Sequence, residues 1–403
     1  MQQLPEITPN RIAIKLKPKA EILVKKGHPW IFEDSIVKQN KKNAAAGDIA
    51  ILFDQRKDKV FGVGLYDPAS PIRIKVIHQG PATIDQHFFK AAIATAFKKR
   101  ERLLQTDTNS YRLLFGENDG FPGCIVDVYA GVLVLKLYSS IWYPYLKEII
   151  PLLVAQSNAT TVVLRLSRNL QKQPQHALFD GQVVYGTLKD EVVVFKEHGI
   201  RFSANVIKGH KTGYFLDHRE NRRKVGKLAA GKSVLDVFSY AGGFSVHALA
   251  GGAKEVVSLD ISAQALEMAS HNVALNMHYG THRTMVRDAF EGLQELIANG
   301  RQFDMVIIDP PSFAKSAKEI PSAKNSYLRL AKLGAQLVAN KGILVLASCS
   351  SRVSAQAFFD ISESGLQSRG RAYQIIDKTA HDSDHPISFP EGAYLKCGYY
   401  KFE

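Results

Sequence analysis

Cysteine is scarce in this 403-residue chain: Cys124, Cys349 and Cys397 are its three, and they lie far apart. They make neither a disulfide framework nor a paired zinc motif, which points to a reducing compartment. Long hydrophobic runs are missing too, since no segment approaches the roughly 18 apolar residues that span a bilayer. The opening MQQLPEITPN has no apolar stretch of the secretory type. The expectation is a cytoplasmic protein with no membrane partner. Repeats, low-complexity tracts, long flexible linkers and the GxGxxG of dinucleotide sites are likewise absent. Acidic charge is in deficit, with 38 Asp and Glu against 52 Lys and Arg, a net charge of +14. That balance suits a polyanionic partner whose phosphates release counterions on contact. A well-solvated basic surface is the plainer alternative. The excess is densest in residues 1–80, with 14 Lys and Arg against 8 Asp and Glu.

What is present reads as more than one domain, because 403 residues exceed a single core. Residues 9–78 alternate in strand fashion at Arg11–Leu16, Ile49–Asp54, Val60–Tyr66 and Ile72–Ile77, with Gly47-Asp48 and Asp67-Pro68 as turns. This is a small β-rich module, readable as a barrel. Residues 84–105 switch to helical period, with Phe88, Phe89, Ala92, Ile93, Ala96 and Phe97 as the apolar stripe. Lys98, Lys99, Arg100 and Arg102 crowd its end, where basic groups favour a helix C-terminus and RNA contact is a minor reading. Mixed signals run to about 188, and Val192–Phe195 with Ile200–Phe202 around His198-Gly199 suggest a hairpin. From about 232 the pattern is β-α-β, with strands at Ser233–Val237, Glu255–Leu259, Met305–Ile308 and Ile343–Ala347. The fold class is therefore α/β, ending in a doubly wound sheet. The boundaries fall at 1–80, 81–190 and 191–403.

Ligands of such sheets bind at the carboxyl ends of the strands, and acidic residues stand there in succession. Asp236 belongs to the first strand, and a turn through Gly242-Gly243 lets backbone approach a ligand closely. Asp260 ends the second, placed to accept both ribose hydroxyls of a nucleoside. Asp288 falls where a third strand should end, within reach of an adenine amino group. One such Asp is often only a helix N-cap; three in register, followed by Asp309-Pro-Pro-Ser-Phe313, point to S-adenosylmethionine. Its carboxylate needs a donor, from Arg219 or from the backbone around Gly242. No metal is required.

The chemical half is Asp309 with Cys349, forty residues on. Pro310 and Pro311 stiffen the backbone and turn its carbonyls to a planar base, and Phe313 can stack on it. That motif alone suits methylation of an exocyclic nitrogen. Cys349 adds another possibility: a thiolate adding to carbon 6 of cytosine makes carbon 5 nucleophilic, while Asp309 at ring nitrogen 3 stabilises the adduct. A base, water among the candidates, then removes the carbon 5 proton. A buried structural thiol is the plainer reading, but Ser348 and Ser350 flanking it past a strand end argue for exposure.

With these residues in view, the chain resembles the PUA-domain, class I S-adenosylmethionine-dependent ribosomal RNA methyltransferases, whose best-known members make 5-methylcytosine in 23S rRNA. The resemblance rests on Gly27–Phe32, Ala46-Gly-Asp48, Asp119–Gly123 with Val126-Asp127, Gly209–Arg222 and Phe238–Ser245. It continues through Asp309–Phe313, Ser348-Cys-Ser350, Asp384-His-Pro386 and Glu391–Lys396. It implies an N-terminal PUA-like barrel for RNA, a central α/β domain and a Rossmann-like catalytic domain. Large-subunit rRNA is the implied partner. It further implies cofactor contacts from Lys211, Arg219, Asp236, Phe238, Tyr240, Gly242, Gly243, Asp260, Ile261, Asp288, Ala289 and Asp309. Pro310, Pro311 and Phe313 would meet the base, and Cys349 and Asp309 would be catalytic. His218 stands where the family leads one to expect glutamine, and Lys341-Gly342 replaces a double glycine. His381 and His385 read as structural or surface groups rather than metal ligands. The family includes homodimers, and no patch in this sequence establishes one. Two rivals stay open: a base N-methyltransferase that tolerates Cys349→Ala, and a non-catalytic RNA-binding assembly factor.

Overall fold

Residues 4–173, 177–368 and 370–403 are described by a computed structural model, so the first three residues of the N-terminal stretch lie outside them. The chain forms two units. One comprises residues 1–197, 203–216 and 383–392; the other comprises 198–202, 217–382 and 393–403.

The first unit begins with β1 (Arg11–Leu16), β2 (Trp30–Phe32), β3 (Ile36–Gln39), β4 (Ile49–Phe53), β5 (Val60–Tyr66) and β6 (Ile72–Gln79), with helix α1 (Pro18–Lys25) after β1. These strands make one sheet in the order β2-β6-β5-β4-β1-β3. Ile12, Ile14, Leu52 and Ile74 alternate onto its buried side. Helix α2 (Gln86–Lys98) follows, its N-terminus capped by the Asp85 side chain, which accepts from Phe88 N–H (2.9 Å). It buries Phe89, Ile93 and Ala96. A short α3 (Glu101–Leu104) leads to a second sheet of β7 (Ser110–Phe115), β8 (Cys124–Tyr129), β9 (Val132–Leu137), β10 (Thr161–Leu166) and β11 (Gln182–Tyr185). Helices α4 (Leu146–Ser157) and α5 (Arg168–Gln171) flank β10 in sequence.

Arg100, read in the sequence as part of a basic helix end, is completely buried. Its guanidinium reaches both oxygens of Asp119 (3.1 and 2.6 Å) and the Asp384 carbonyl (2.9 Å). An ion pair removed from water in this way is held by hydrogen bonds on both partners. This arginine is structural, and RNA contact is excluded for it. Arg112 donates its N–H to Asp384 Oδ2 (2.9 Å), and the Trp30 ring meets Phe389 edge-on at 5.1 Å. Residues 383–392 thus complete the first unit from far along the chain.

Strands β12 (Val192–Glu197) and β13 (Ile200–Asn205) form the hairpin, with His198 and Gly199 both at positive φ (50° and 81°). Two such residues suit the tight turn whose twist matches the strands.

In the second unit, α6 (Arg219–Leu228) precedes β14 (Ser233–Val237), α7 (Gly243–Ala250), β15 (Glu255–Asp260), α8 (Ala263–Ala274) and β16 (Thr281–Val286). Then come α9 (Ala289–Ala298), β17 (Phe303–Ile308), α10 (Ile320–Leu337), β18 (Val338–Ser348), α11 (Ala355–Gln367), β19 (Tyr373–Thr379) and β20 (Lys396–Phe402). The sheet order is β16-β15-β14-β17-β18-β20-β19. The first five strands pair in parallel; β20 runs antiparallel between β18 and β19. Strands β14 and β17 are buried almost throughout because helices cover both faces. The chain crosses from β16 back to β17 beside β14. That reversal opens the crevice at the carboxyl ends of β14 and β17. Among the described residues, no helix is long and apolar enough to cross a membrane.

Candidate active site

The turn after β14 is the most strained stretch of the crevice. Phe238 (φ 63°), Tyr240 (48°) and Gly242 (75°) are all left-handed, a conformation that costs ordinary side chains about 1–2 kcal/mol each. The turn is held from within: Phe238 and Ser239 N–H donate to the Leu259 carbonyl (2.9 and 3.2 Å), and Gly242 N–H donates to that of Ser239 (2.8 Å). At Gly242 a Cβ would stand 2.8 Å from the Ala269 Cβ, so only glycine fits between the turn and α8. Asp260 braces the turn, accepting from Tyr240 N–H through Oδ2 (2.9 Å) and from Ser262 N–H through Oδ1 (2.9 Å).

Asp236 lies beneath. It is 1% exposed, and its Oδ2 accepts from Ser245 N–H (3.0 Å) and Ser245 Oγ (2.7 Å), while Oδ1 has no protein partner. Burial pushes its carboxyl up to about 7; the Ser245 bonds only partly oppose this, and Asp309 and Asp260 add to it. Beyond Ser245 the bonds continue to Ser258 Oγ (2.7 Å) and on to His282 Nε2 (2.8 Å). With Asp236 ionised, each hydroxyl must donate inward, so His282 carries its proton on Nε2. A buried carboxyl with an unmatched oxygen under a strained glycine turn fits a cationic, nucleoside-bearing cofactor.

Asp288 caps α9, its Oδ1 accepting from Phe290 N–H (2.9 Å) and Glu291 N–H (3.3 Å); Ala289 behind it is buried. Ile261 is 71% exposed beside Asp260. Gly243 opens α7. Arg219 is fully buried at the start of α6, with Nη1 3.9 Å from Asp382 Oδ2. Lys211 belongs to the first unit, exposed in a turn at φ 57°.

Asp309 emerges at the end of β17 with its side chain 23% exposed. Pro310 is buried, Pro311 exposed and Phe313 half-buried, one ring edge against Tyr327 at 5.2 Å. Cys349 follows β18, and its sulfur lies 3.9 Å from the Pro310 carbonyl oxygen. The two segments singled out forty residues apart in sequence therefore meet. The thiol is half-buried, and burial pushes it up to about 12. The carboxylates of Asp309 and Asp217 push the same way, with Lys396 pulling against them. A ready thiolate does not stand here in the free protein.

Three neighbours went unassigned in the sequence. His218 Nε2 lies 3.3 Å from Asp309 Oδ1, an ion-pair separation. The Asn221 amide oxygen accepts from Tyr399 OH (2.9 Å) and Thr379 Oγ1 (2.6 Å), which turns its nitrogen to His218 Nδ1 (3.1 Å). In the neutral ring Nδ1 accepts and Nε2 carries the proton, at ion-pair distance from Asp309 though outside hydrogen-bond geometry. Burial pulls His218 down, but the Asp309 carboxylate outweighs it and leaves the imidazole raised. Tyr327 OH accepts from Ser348 Oγ at 2.9 Å, directly before Cys349. Lys396 is buried on β20. Its motif was visible in the sequence, but no local signal disclosed its role.

An α/β catalytic domain of the methyltransferase kind is what this sheet order and crevice define. Residues 127–368 match the S-adenosylmethionine-dependent methyltransferase family, and residues 14–79 match the PUA-like domain. A ribosomal RNA large subunit methyltransferase from Deinococcus radiodurans is 44% identical over 96% of both chains. Ribosomal RNA large subunit methyltransferase I from Alteromonas mediterranea is 35% identical over 94% of this chain and 96% of its own. SMU.776, assigned as a methyltransferase and crystallised with SAH, shares the fold with a TM-score of 0.81; it is 23% identical and covers 97% of this chain and 100% of that one. The protein belongs to the S-adenosylmethionine-dependent methyltransferase family, alongside the ribosomal RNA large subunit methyltransferases, and S-adenosylmethionine is its cofactor.

Proposed function

We propose that the protein methylates carbon 5 of a cytosine in large-subunit ribosomal RNA, with Cys349 as nucleophile and Asp309 at ring nitrogen 3. The observation that carries this reading is the meeting of the Cys349 sulfur with the Asp309-Pro-Pro turn, 3.9 Å from the Pro310 carbonyl oxygen. The RNA target follows from the relatives' names and from a net charge of +14. The PUA-like module and the basic surface would hold the RNA, and the target base must leave its stack to reach the thiol.

The cofactor supplies an electrophilic methyl group; the Phe238–Gly243 turn, Asp236, Asp260 and Asp288 are the residues proposed to hold it. The Cys349 sulfur bonds to carbon 6, the carbon 5–carbon 6 double bond opens, and the thiol proton ends on nitrogen 3 by way of Asp309. Carbon 5 then takes the methyl group. A base removes the carbon 5 proton, the double bond re-forms, the carbon–sulfur bond breaks, and nitrogen 3 returns its proton to the sulfur. Pro310 and Pro311 would keep the base edge-on to Asp309 while Phe313 stacks on it.

The test is methyl transfer from labelled S-adenosylmethionine to unmodified large-subunit rRNA by wild type and Cys349→Ala, with digestion to nucleosides. Labelled 5-methylcytidine that disappears in the variant is expected. A labelled N-methylated nucleoside that survives would overturn the carbon 5 mechanism. That second reading has one observation in its favour: a thiol pushed up to about 12. Nitrogen methylation needs no thiolate.

A further inference from the structure

Lys396 is 3% exposed, yet it carries an ammonium group. Burying such a charge is costly unless all its protons are matched. They are: Nζ donates to the carbonyl oxygens of Ser350, of Val353 (2.7 Å) and of Tyr394 (3.1 Å). The first two belong to the loop that leaves β18 directly after Cys349. Lys396 is also the antiparallel partner of Ser348, the residue immediately before Cys349. One residue therefore holds the nucleophile's segment on both sides, its backbone pairing with the strand before Cys349 and its side chain bonding the loop after it.

We infer that Lys396 is the positioning residue for the nucleophile: its buried ammonium fixes the loop bearing Cys349 and keeps a positive charge in that loop's neighbourhood when the thiol proton leaves. This rests on the reading of Cys349 as the nucleophile. The other charges facing that sulfur are Asp309 and Asp217, both carboxylates and both unfavourable to a thiolate. Asp217 is itself held by Tyr394 OH (2.9 Å), the residue whose carbonyl receives Lys396. The coupling works in both directions. Lys396 draws the thiol down, and the sulfur draws Lys396 up against the burial that lowers it to about 8.

The experiment follows alkylation of Cys349 by iodoacetamide in the full chain, comparing wild type with Lys396→Met, Lys396→Gln and Lys396→Arg. The Cys349→Ala variant gives the background from Cys124 and Cys397, both buried. Loss of the nearby cation lowers the thiolate population, so Met and Gln variants should react more slowly at pH 7, where Lys396 is charged, on the order of tenfold for each unit by which the thiol rises. Arginine, which keeps the charge, should restore most of the rate. A purely structural tie predicts the opposite sign, because a loosened loop exposes the sulfur and speeds alkylation. Rates in Lys396→Gln that equal or exceed wild type would overturn the inference, even if Lys396→Met fails to fold. Formation of 5-methylcytidine by wild type and its loss in Cys349→Ala are read separately, so a failed inference about Lys396 stays distinct from a failed assignment of the nucleophile.

Discussion

Replacing Asp236 with asparagine should stabilise the cofactor-free protein and abolish its cofactor affinity. The amide oxygen of asparagine can keep both Ser245 hydrogen bonds, so the substitution removes charge and little else. The magnitude follows from the carboxyl's position near 7 in the folded chain, against an ordinary 3.8. Between those values the folded state holds more protons than the unfolded one. Its stability is therefore greatest below about pH 4, falls as pH rises toward 7, and levels off above. At about 1.4 kcal/mol per unit, the wild type loses about 2.5 kcal/mol through this group between pH 5 and pH 8. The asparagine variant does not titrate there. Its advantage over wild type should accordingly grow by about 2.5 kcal/mol from pH 5 to pH 8, read by urea unfolding with hydrogen exchange in β14 and α7. Using the growth rather than the absolute gap cancels any constant change in packing. On the proposal that Asp236 holds the cofactor, calorimetry should find S-adenosylmethionine binding lost. A gap that is the same at both pH values, or undiminished binding, would refute the reasoning.

Two further outcomes are expected. In wild type, iodoacetamide should modify Cys349 at a rate that climbs about tenfold per pH unit from 7 to 10, since the thiol is pushed up to about 12; a plateau near pH 9 would show an ordinary thiol. Arg100→Met should leave Asp119 buried without its main partner, whose hydrogen bonds and charge, with those of Lys99, hold that carboxyl low against the burial that pushes it up. A loss of roughly 3–5 kcal/mol is expected, seen as faster hydrogen exchange in β7 and β8; unchanged exchange there would contradict it.

The parts of this fold that were legible in sequence are those where both faces of an element are buried. Strands β14 and β17 read as apolar runs because helices pack on either side, and Asp236 and Asp309 could be placed at their ends. Strand β16 was inferred only from the position of Asp288, because its residues alternate between exposed and half-buried and read as polar. Strand β19 has the same character. Missing β20 concealed Lys396, since its relation to Cys349 exists only once β20 lies against β18. His218 was visible as an oddity, but its tautomer is dictated by Asn221 three residues on, whose amide is oriented by Thr379 and Tyr399 from far along the chain. Arg100 was misread because a basic helix end and a buried ion pair look alike until Asp119 is brought beneath it.

The interleaving of the two units also bears on how the chain folds as it is made. The long opening segment of the first unit ends at Glu197, but its buried Arg100 and the backbone of Arg112 wait for Asp384, and Trp30 waits for Phe389. At 5–20 residues per second, translation takes roughly 10–40 s to cover that interval. For that time the Arg100–Asp119 pair and the Trp30 edge stand without their final partners, while strands β14 to β19 of the second unit are synthesised. A ribosome stalled short of residue 384 would hold a nascent chain whose earliest-made part is still incomplete. Final ordering of that part is thereby tied to synthesis of residues 384–389, nearly two hundred residues after Glu197.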